Sequence, residues 1–162
     1  MGDPRRFALM ADLVNAEFPE HRHNEIADVA GGKGGLKAAL HRLGWYGVTV
    51  VDVRHRLAKG RPGQHYGKFT WREPRRWSLV LGMHPDEATD NIVLYAARTS
   101  RPFVVCPCCI KPDAAPYTGR QGSKADWLAH IEQLASHTHN VSRCVLPMMG
   151  DAVVLIGRRR SS

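Results

Sequence analysis

The sequence predicts a doubly wound α/β domain, built on a mostly parallel seven-stranded sheet that ends in a C-terminal antiparallel hairpin. Three observations support this fold class. Short apolar runs of strand length alternate along the chain with segments of helical periodicity. A glycine-rich segment follows the first apolar run, and an acidic residue ends the second. Two further apolar runs close the chain around a Pro-Met-Met-Gly turn.

The N-terminal half supplies a helix, a strand, a second helix and a second strand. Residues 4–18 carry apolar side chains at helical spacing between two prolines, which predicts an amphipathic helix. Strand one is predicted at 26–30 and strand two at 48–53. The helix between them is predicted at 35–43, because Gly44 is typical of a helix end.

The C-terminal half continues the alternation after a long basic segment. Residues 54–76 are rich in Arg, Gly and Pro, so they predict a loop containing a short strand at 65–70. Pro85 suits the first turn of a helix, and Ser123 with Asp126 resembles a capping box. The remaining strands are predicted at 78–83, 102–106, 141–146 and 151–157.

The composition describes a folded protein with an excess of positive charge. The chain has 162 residues, 43% of them hydrophobic, and a formal net charge of +8. This length fits one domain, expected at 1–157 and followed by a basic tail at 158–162. No apolar run could cross a membrane, and the four cysteines do not form a secreted disulfide pattern. We expect a cytoplasmic protein. Its basic surface favours RNA or another phosphate-rich partner, the alternative being a solvated arginine-rich surface.

The glycine-rich segment from Asp28 to Gly34 predicts a nucleotide site. A dinucleotide fingerprint would require glycine at Lys37, and a P-loop would require Ser or Thr after Lys33. Neither pattern is present. Glycines let the backbone approach a ligand closely, and a helix start offers free N–H groups. Asp52, at the end of strand two, can accept hydrogen bonds from two ribose hydroxyls. The simpler alternative is a glycine turn that only connects a strand to a helix.

This pattern resembles motif I of class I S-adenosylmethionine (SAM)-dependent methyltransferases, with Ala30 in place of the first glycine. The resemblance implies a Rossmann-like fold and SAM as the cofactor. It implies that Asp28 lies near the methionine moiety and that Asp52 binds the ribose. The cofactor-binding residues expected on this basis are Asp28, Ala30, Gly31, Gly32, Gly34, Asp52 and Met83.

Two further motifs follow the strands that should flank the ligand crevice. His84 and Asp86 leave strand four, where class I methyltransferases face the methyl group. We therefore predict His84 as a base or acceptor-positioning residue, and Asp86 as an alternative base or as a residue that orients His84. Alternatively, His84 ends a strand and Asp86 caps a helix. Together with the Cys106–Cys109 segment they resemble a branch that includes tRNA 2′-O-methyltransferases. Those enzymes carry His-x-Cys-Gly where this chain has His-Pro-Asp-Glu.

The cysteine segment is expected to wall the acceptor pocket rather than to hold a metal. Cys108 and Cys109 are adjacent, so their side chains should diverge, and no C-x-x-C pair occurs. The predicted substrate-binding residues are Cys106, Pro107, Cys108, Cys109, Lys111, Arg54 and Arg72. The predicted function is methyl transfer from SAM to RNA or a nucleotide-like acceptor. The alternatives are a small-molecule O- or N-methyltransferase and a binding module without turnover.

Overall fold

The computed structural model describes residues 2–54 and 62–161. Eleven regular elements follow one another within these ranges, with short 3₁₀ turns at Pro19–His21 and Asp86–Ala88. In chain order they are α1 (Arg6–Glu17), β1 (Ile26–Val29), α2 (Gly35–Arg42), β2 (Val48–Asp52), β3 (Gln64–Tyr66), β4 (Leu79–Met83), α3 (Thr89–Thr99), β5 (Phe103–Cys106), α4 (Lys124–Ala135), β6 (His139–Val145) and β7 (Val153–Arg159).

The strands form a seven-stranded sheet in the order β3-β2-β1-β4-β5-β7-β6. Strands β1 to β5 are parallel, whereas β7 pairs antiparallel with both β5 and β6. This arrangement confirms the predicted fold class, including the C-terminal hairpin. The strand order reverses at β1, which lies between β2 and β4. The carboxyl ends of these three strands therefore border the crevice in which doubly wound proteins bind ligands.

Two apolar cores lie on opposite faces of the sheet, because alternate residues of each strand point to opposite faces. In β4, Leu79 and Leu81 join the core beneath α1 and α2, while Val80 joins the core beneath α3 and α4. The buried aromatic side chains are divided in the same way, with Trp45 in the first core and Trp127 in the second. The helices thus cover both faces and leave the carboxyl edge of the sheet open.

Strand and helix limits differ from the predicted ones mainly near the C terminus. Strand β6 begins at His139 and β7 continues through Arg159, because the two strands pair from His139↔Arg159 to Val145↔Val153. The expected basic tail therefore begins later than residue 158. Arg158 is an ordered strand residue whose guanidinium pairs with Glu17 and lies 4.4 Å from the ring centroid of Phe18.

The helix predicted after Pro85 begins only at Thr89. A 3₁₀ turn at Asp86–Ala88 comes first, because His84 and Asp86 both adopt left-handed backbone conformations that a continuous helix does not allow. The short strand predicted at 65–70 is observed at Gln64–Tyr66, parallel to β2. Among the helices of the described residues, none is long and apolar enough to cross a membrane.

Candidate active site

A cavity of about 630 Å³ opens at the carboxyl ends of β1, β2 and β4. This volume lies within the range of small-molecule and cofactor sites. The glycine turn after β1, the end of β2 and the β4 exit all contribute to its walls. The residues with predicted roles that line it are Asp28, Ala30, Gly31, Gly32, Asp52, Arg54, Met83, His84 and Asp86. The structure thus brings together most of the predicted cofactor residues and both predicted catalytic residues.

The turn between β1 and α2 has a backbone that explains its glycines. Gly32 and Gly34 have φ values of 58° and 83°, in the left-handed region that glycine adopts without strain. Ala30 shares this region with a φ of 54°, which costs free energy for a residue with a Cβ atom. A Cβ atom on Gly31 would lie 2.4 Å from Oδ2 of Asp28, so only glycine fits above that carboxylate. Gly34 supports the turn but does not line the cavity.

Asp28 is completely buried beneath this turn. Neither carboxylate oxygen makes a hydrogen bond of normal length and angle with a described residue. Burial raises the pKa of Asp28 to about 7, with a smaller contribution from Asp52, while the backbone and ammonium of Lys37 oppose the shift. An unpaired carboxylate at the floor of a cavity is costly by itself and favours a ligand that carries positive charge.

Asp52 ends β2 and is 4% exposed. Its carboxylate accepts hydrogen bonds from the backbone N–H of Gly32 at 2.9 Å and from the backbone N–H of Arg54 at 2.9 Å. The Arg54 side chain adds two more, from Nε and Nη2, each at 2.8 Å. Burial alone would raise the pKa of Asp52, but these hydrogen bonds outweigh it and lower the pKa. The carboxylate is therefore ionised and oriented at neutral pH.

The Arg54 side chain thus has a different position from the one predicted. Its guanidinium is paired with Asp52 and lies 3.0 Å from the Cβ position of Gly32, although about half of the side chain is exposed. A carboxylate has about four acceptor sites, and all four of those on Asp52 are occupied. Two ribose hydroxyls can reach Asp52 only if the Arg54 side chain moves away.

His84 directly follows β4 and has a φ of 55°. Its backbone N–H donates to the carbonyl of Cys106 at 3.0 Å, and its Nε2 lies 2.9 Å from the carbonyl oxygen of Asp151. A carbonyl oxygen can only accept, so in the neutral imidazole Nε2 carries the proton and Nδ1 has the free lone pair that a base needs. Met83, just before it, is 6% exposed and forms part of the cavity wall.

Asp86 lies at the rim of the cavity and is paired with Lys111. The Lys111 ammonium lies 3.1 Å from Oδ1 of Asp86. Partial burial alone would raise the pKa of Asp86, but the hydrogen bonds from Lys111 and from the thiols of Cys108 and Cys109 lower it. A carboxylate held in this way is a weak base, so the geometry favours His84 over Asp86 for proton removal.

The cysteine segment does not wall the cavity as predicted. Cys106 is buried in the core, Pro107 is buried beside it, and the cavity lining includes neither Cys108, Cys109 nor Lys111. Cys108, Cys109 and Lys111 instead contact Asp86, which itself lines the cavity. The expectation that the two adjacent thiols diverge is also wrong. Their Sγ atoms lie 3.4 Å apart, because the chain bends at Cys109.

Two residues that organise the site, Asp90 and Asp151, have no role predicted from the sequence. Oδ2 of Asp90 accepts the backbone N–H groups of Asp113, Ala114 and Ala115 at 2.8, 2.7 and 3.1 Å, which fixes the loop after β5. Asp90 belongs to the Ala-Thr-Asp sequence that follows His84, and that motif is the only signal that could have indicated it. Asp151 supplies the carbonyl that orients His84, and no local pattern indicates such a distant partner.

The described part of the basic segment from residue 62 onward forms part of the rim and the adjacent surface. Gly67, Lys68 and Phe69 line the cavity. Arg72 is exposed and lies outside the lining, with its guanidinium carbon 4.7 Å from the Trp71 ring centroid. Arg75 and Arg76 are also exposed. Residues 55–61 of this segment lie outside the described residues.

Comparison with solved structures identifies the fold. An S-adenosylmethionine-dependent methyltransferase from Clostridium acetobutylicum is similar over 96% of this chain and 92% of that chain, with a TM-score of 0.64 and 11% identity. The chain has the class I methyltransferase fold. Magnesium protoporphyrin IX methyltransferase from Synechocystis PCC 6803 with bound SAM is similar over 96% of this chain and 80% of that chain, with a TM-score of 0.63 and 14% identity. Human N-acetylserotonin methyltransferase in complex with SAM is similar over 96% of this chain and 51% of that chain, with a TM-score of 0.60 and 16% identity.

The sequence itself matches no protein-family model and no curated protein. The similarity to these methyltransferases is therefore a similarity of backbone fold. The sequence identities to structural neighbours of this kind lie between 10% and 20%. The tRNA methyltransferase branch suggested by the His84 and Cys106–Cys109 motifs is not distinguished by these neighbours, which include methyltransferases named for small molecules.

The residues of the cavity fit SAM on three structural grounds. Gly31 and Gly32 form a cradle that side chains would fill. Asp28 provides an unpaired buried carboxylate, which suits the cationic sulfonium and ammonium groups of SAM. Asp52 provides an ionised carboxylate beside the glycine turn, which suits the ribose once Arg54 moves aside.

Proposed function

We propose that this protein is a SAM-dependent methyltransferase that acts on RNA or a nucleotide-like acceptor. The observation that carries the proposal is the pairing of Asp28 and Asp52 around one glycine cradle, at the strand ends where a fold of this class binds its ligand. SAM would be held by Asp28, the turn from Ala30 to Gly32 and Asp52. When bound, SAM supplies an electrophilic methyl group on a sulfonium.

The chain's own contribution to the reaction is to orient the acceptor and remove its proton. His84 stands at the β4 exit with Nε2–H donated to the Asp151 carbonyl and Nδ1 unbonded to any described residue. An acceptor hydroxyl placed at Nδ1 would lose its proton to the imidazole as it becomes nucleophilic. Because the ring is held by a backbone carbonyl, its orientation and tautomer are set before the acceptor arrives.

The preference for a nucleic acid or nucleotide rests on charge and aromatic stacking near the cavity. Arg6, Lys33 and Lys68 join Arg54 in the cavity lining. Arg72 lies over Trp71 on the adjacent surface, an arrangement of cation and ring that can stack on bases. Phosphates and bases together are the chemistry that such a surface recognises.

Binding and transfer assays test the proposal in sequence. Calorimetry should detect SAM or S-adenosylhomocysteine binding by the full chain, and methyl-labelled SAM should then label a total RNA pool. Absence of cofactor binding would overturn the methyltransferase assignment. Cofactor binding without transfer to RNA, nucleotides or small molecules would instead support the binding module.

A small-molecule acceptor is the second candidate, favoured by the small-molecule substrates in the names of two structural neighbours. The salt dependence of RNA binding distinguishes an RNA acceptor from a small-molecule acceptor. RNA binding should weaken steeply with salt, and the double variant Arg72→Gln/Arg76→Gln should lower the slope by about 1 for each phosphate that the protein no longer neutralises. The double variant Arg42→Gln/Arg159→Gln has the same net charge but alters exposed arginines elsewhere, and it should leave the slope unchanged. Undetectable RNA binding at low salt would favour the small molecule.

A further inference from the structure

The loop after β5 and the exit of β4 bring three potential metal ligands together outside the cofactor cradle. One ligand atom from each of Asp86, Cys108 and Cys109 lies within 4.8 Å of the other two. The Sγ atoms of the two cysteines are 3.4 Å apart, and Sγ of Cys108 is 3.6 Å from Oδ1 of Asp86. Both cysteines are free thiols. From this geometry we infer a binding site for a thiophilic divalent cation of the zinc class.

The distances between these ligand atoms are close to those around a tetrahedral cation. With zinc–sulfur bonds of about 2.3 Å and a zinc–oxygen bond of about 2.0 Å, two sulfur ligands lie about 3.8 Å apart, and a sulfur and an oxygen ligand lie about 3.5 Å apart. The distance from Cys108 to Asp86 is within about 0.1 Å of that value, and the two Sγ atoms would have to separate by about 0.4 Å. Cys108 and Cys109 therefore need only small rotamer adjustments to hold one ion together. The donor set of two thiolates and a carboxylate selects zinc or a softer cation over magnesium or calcium.

The surroundings of the cluster supply rigidity. The segment that carries both thiols is held at Asp113–Ala115 by Asp90, and the Lys124 ammonium donates to the Cys108 carbonyl. Asp86 is fixed from the other side by the 3₁₀ turn after β4. Ligands on two segments that are each anchored by other contacts form a site prepared before the ion arrives.

The local charges are also balanced for a divalent ion. Two thiolates and the Asp86 carboxylate carry three negative charges, and the ion neutralises two of them. The Lys111 ammonium, 3.1 Å from Oδ1 of Asp86, neutralises the third. The three protein ligands leave a fourth position for water or another donor. Because Asp86 lines the cavity, an ion at this site would lie beside the acceptor region, whatever acceptor is used.

Cobalt(II) titration of the reduced, metal-free full chain tests the site. The wild type should bind one equivalent of cobalt with thiolate-to-cobalt charge-transfer absorption in the near ultraviolet, and zinc should displace it. Cys108→Ser and Cys109→Ser should each weaken binding by at least about 100-fold, more than the removal of an outer partner costs. Cys144→Ser is the matched control, because that free cysteine lies outside the cluster, and it should bind cobalt as the wild type does.

Asp86→Asn should weaken cobalt binding by about tenfold, because it removes a charge and keeps an oxygen in place. Glu87→Gln, which alters the neighbouring acid, should leave the affinity unchanged. X-ray absorption of the zinc-bound wild type should show two sulfur ligands at about 2.3 Å. A wild type without charge-transfer absorption, a zinc shell without sulfur, or equal losses in Cys144→Ser and Cys108→Ser would each overturn the proposal. None of these readouts depends on SAM or on methyl transfer.

Discussion

The two halves of the carboxyl edge are built in different ways. The half at β1 and β2 is made within residues 26–54, from a glycine turn, a buried acid and a second acid two residues from its arginine partner. The half at β4 and β5 is made from side chains whose partners lie far away, since His84 bonds to Asp151 and Asp86 to Lys111. The first half is encoded locally and shaped by backbone, whereas the second depends on the completed fold. Substitutions in the two halves should therefore affect different measured quantities.

The sharpest test of this division is His84. His84→Ala should lower single-turnover methyl transfer by roughly 10²–10⁴-fold, because the acceptor loses its base. Cofactor affinity should stay the same, since Asp28 and Asp52 lie on other strands. His84→Asn is the matched control for backbone strain, because asparagine tolerates the left-handed conformation, and it should lose turnover to a similar extent. Full turnover in either variant, or a large loss of cofactor binding, would contradict the division.

Asp28 should give the cofactor half a distinctive pH dependence of stability. Its pKa is raised to about 7 in the folded chain, against an ordinary value of 3.8. Between these two pH values Asp28 is therefore protonated in the folded state and ionised in the unfolded state. Stability should fall as the pH rises from about 4 to about 7 and then level off. At about 1.4 kcal/mol for each pH unit, the loss is on the order of 4 kcal/mol.

Urea unfolding of the wild type and of Asp28→Asn across this pH range measures the effect. The variant should lack the decline, because an amide does not titrate. Asp12→Asn changes an exposed acid on α1 and should keep the wild-type profile. A decline of equal size in Asp28→Asn would mean that other groups are responsible.

Asp52 should affect cofactor affinity alone. Asp52→Ala should weaken binding of SAM or S-adenosylhomocysteine by roughly 1–3 kcal/mol, because the ribose hydroxyls lose a charged acceptor. Calorimetry checks this, with Asp12→Ala as the exposed-acid control. With SAM saturating, turnover by Asp52→Ala should be close to that of the wild type. An unchanged affinity would remove Asp52 from the site.

The smallest expected effect is that of Arg54. It shows whether the Arg54 guanidinium competes with the cofactor for Asp52 or contacts the cofactor itself. Arg54→Met frees two acceptor positions on Asp52, so cofactor affinity should rise by about two- to fivefold, the worth of a half-exposed ion pair. Arg72→Met, which changes an arginine outside the cavity, should have no effect on affinity. Weaker binding by Arg54→Met would show that the guanidinium contacts the cofactor instead of competing with it.

The sequence predicted the sheet, the helices and the position of the cofactor half because these depend on local periodicity and on turn residues. The same reasoning failed wherever pairing across the molecule decides the outcome. Strand β7 reaches Arg159 because β6 is there to pair with it, although three consecutive arginines indicate a tail. Neighbouring side chains point apart in an extended chain, but the chain bends at Cys109. The thiols of Cys108 and Cys109 therefore lie close together.

Charge was the least reliable guide to individual roles. Arg54 begins a basic run that predicts phosphate contacts, yet its nearest strong acceptor is the acid two residues before it. Asp90 fixes a loop more than twenty residues away through three backbone N–H groups, a role that depends on tertiary contacts alone. The roles of individual residues such as these can be assigned only from the three-dimensional structure, even where the fold can be predicted from the sequence.

The hydrogen bond from His84 to Asp151 has a consequence for the order in which the protein becomes competent. A chain made from its N terminus completes the β1–α2–β2 unit when about a third of its residues have been synthesised. Residue 151 precedes β7, the strand that is added last yet inserts between β5 and β6. Until that insertion, the imidazole has no carbonyl to select its tautomer. The cradle can therefore form early in folding, while the base is fixed only in the final step.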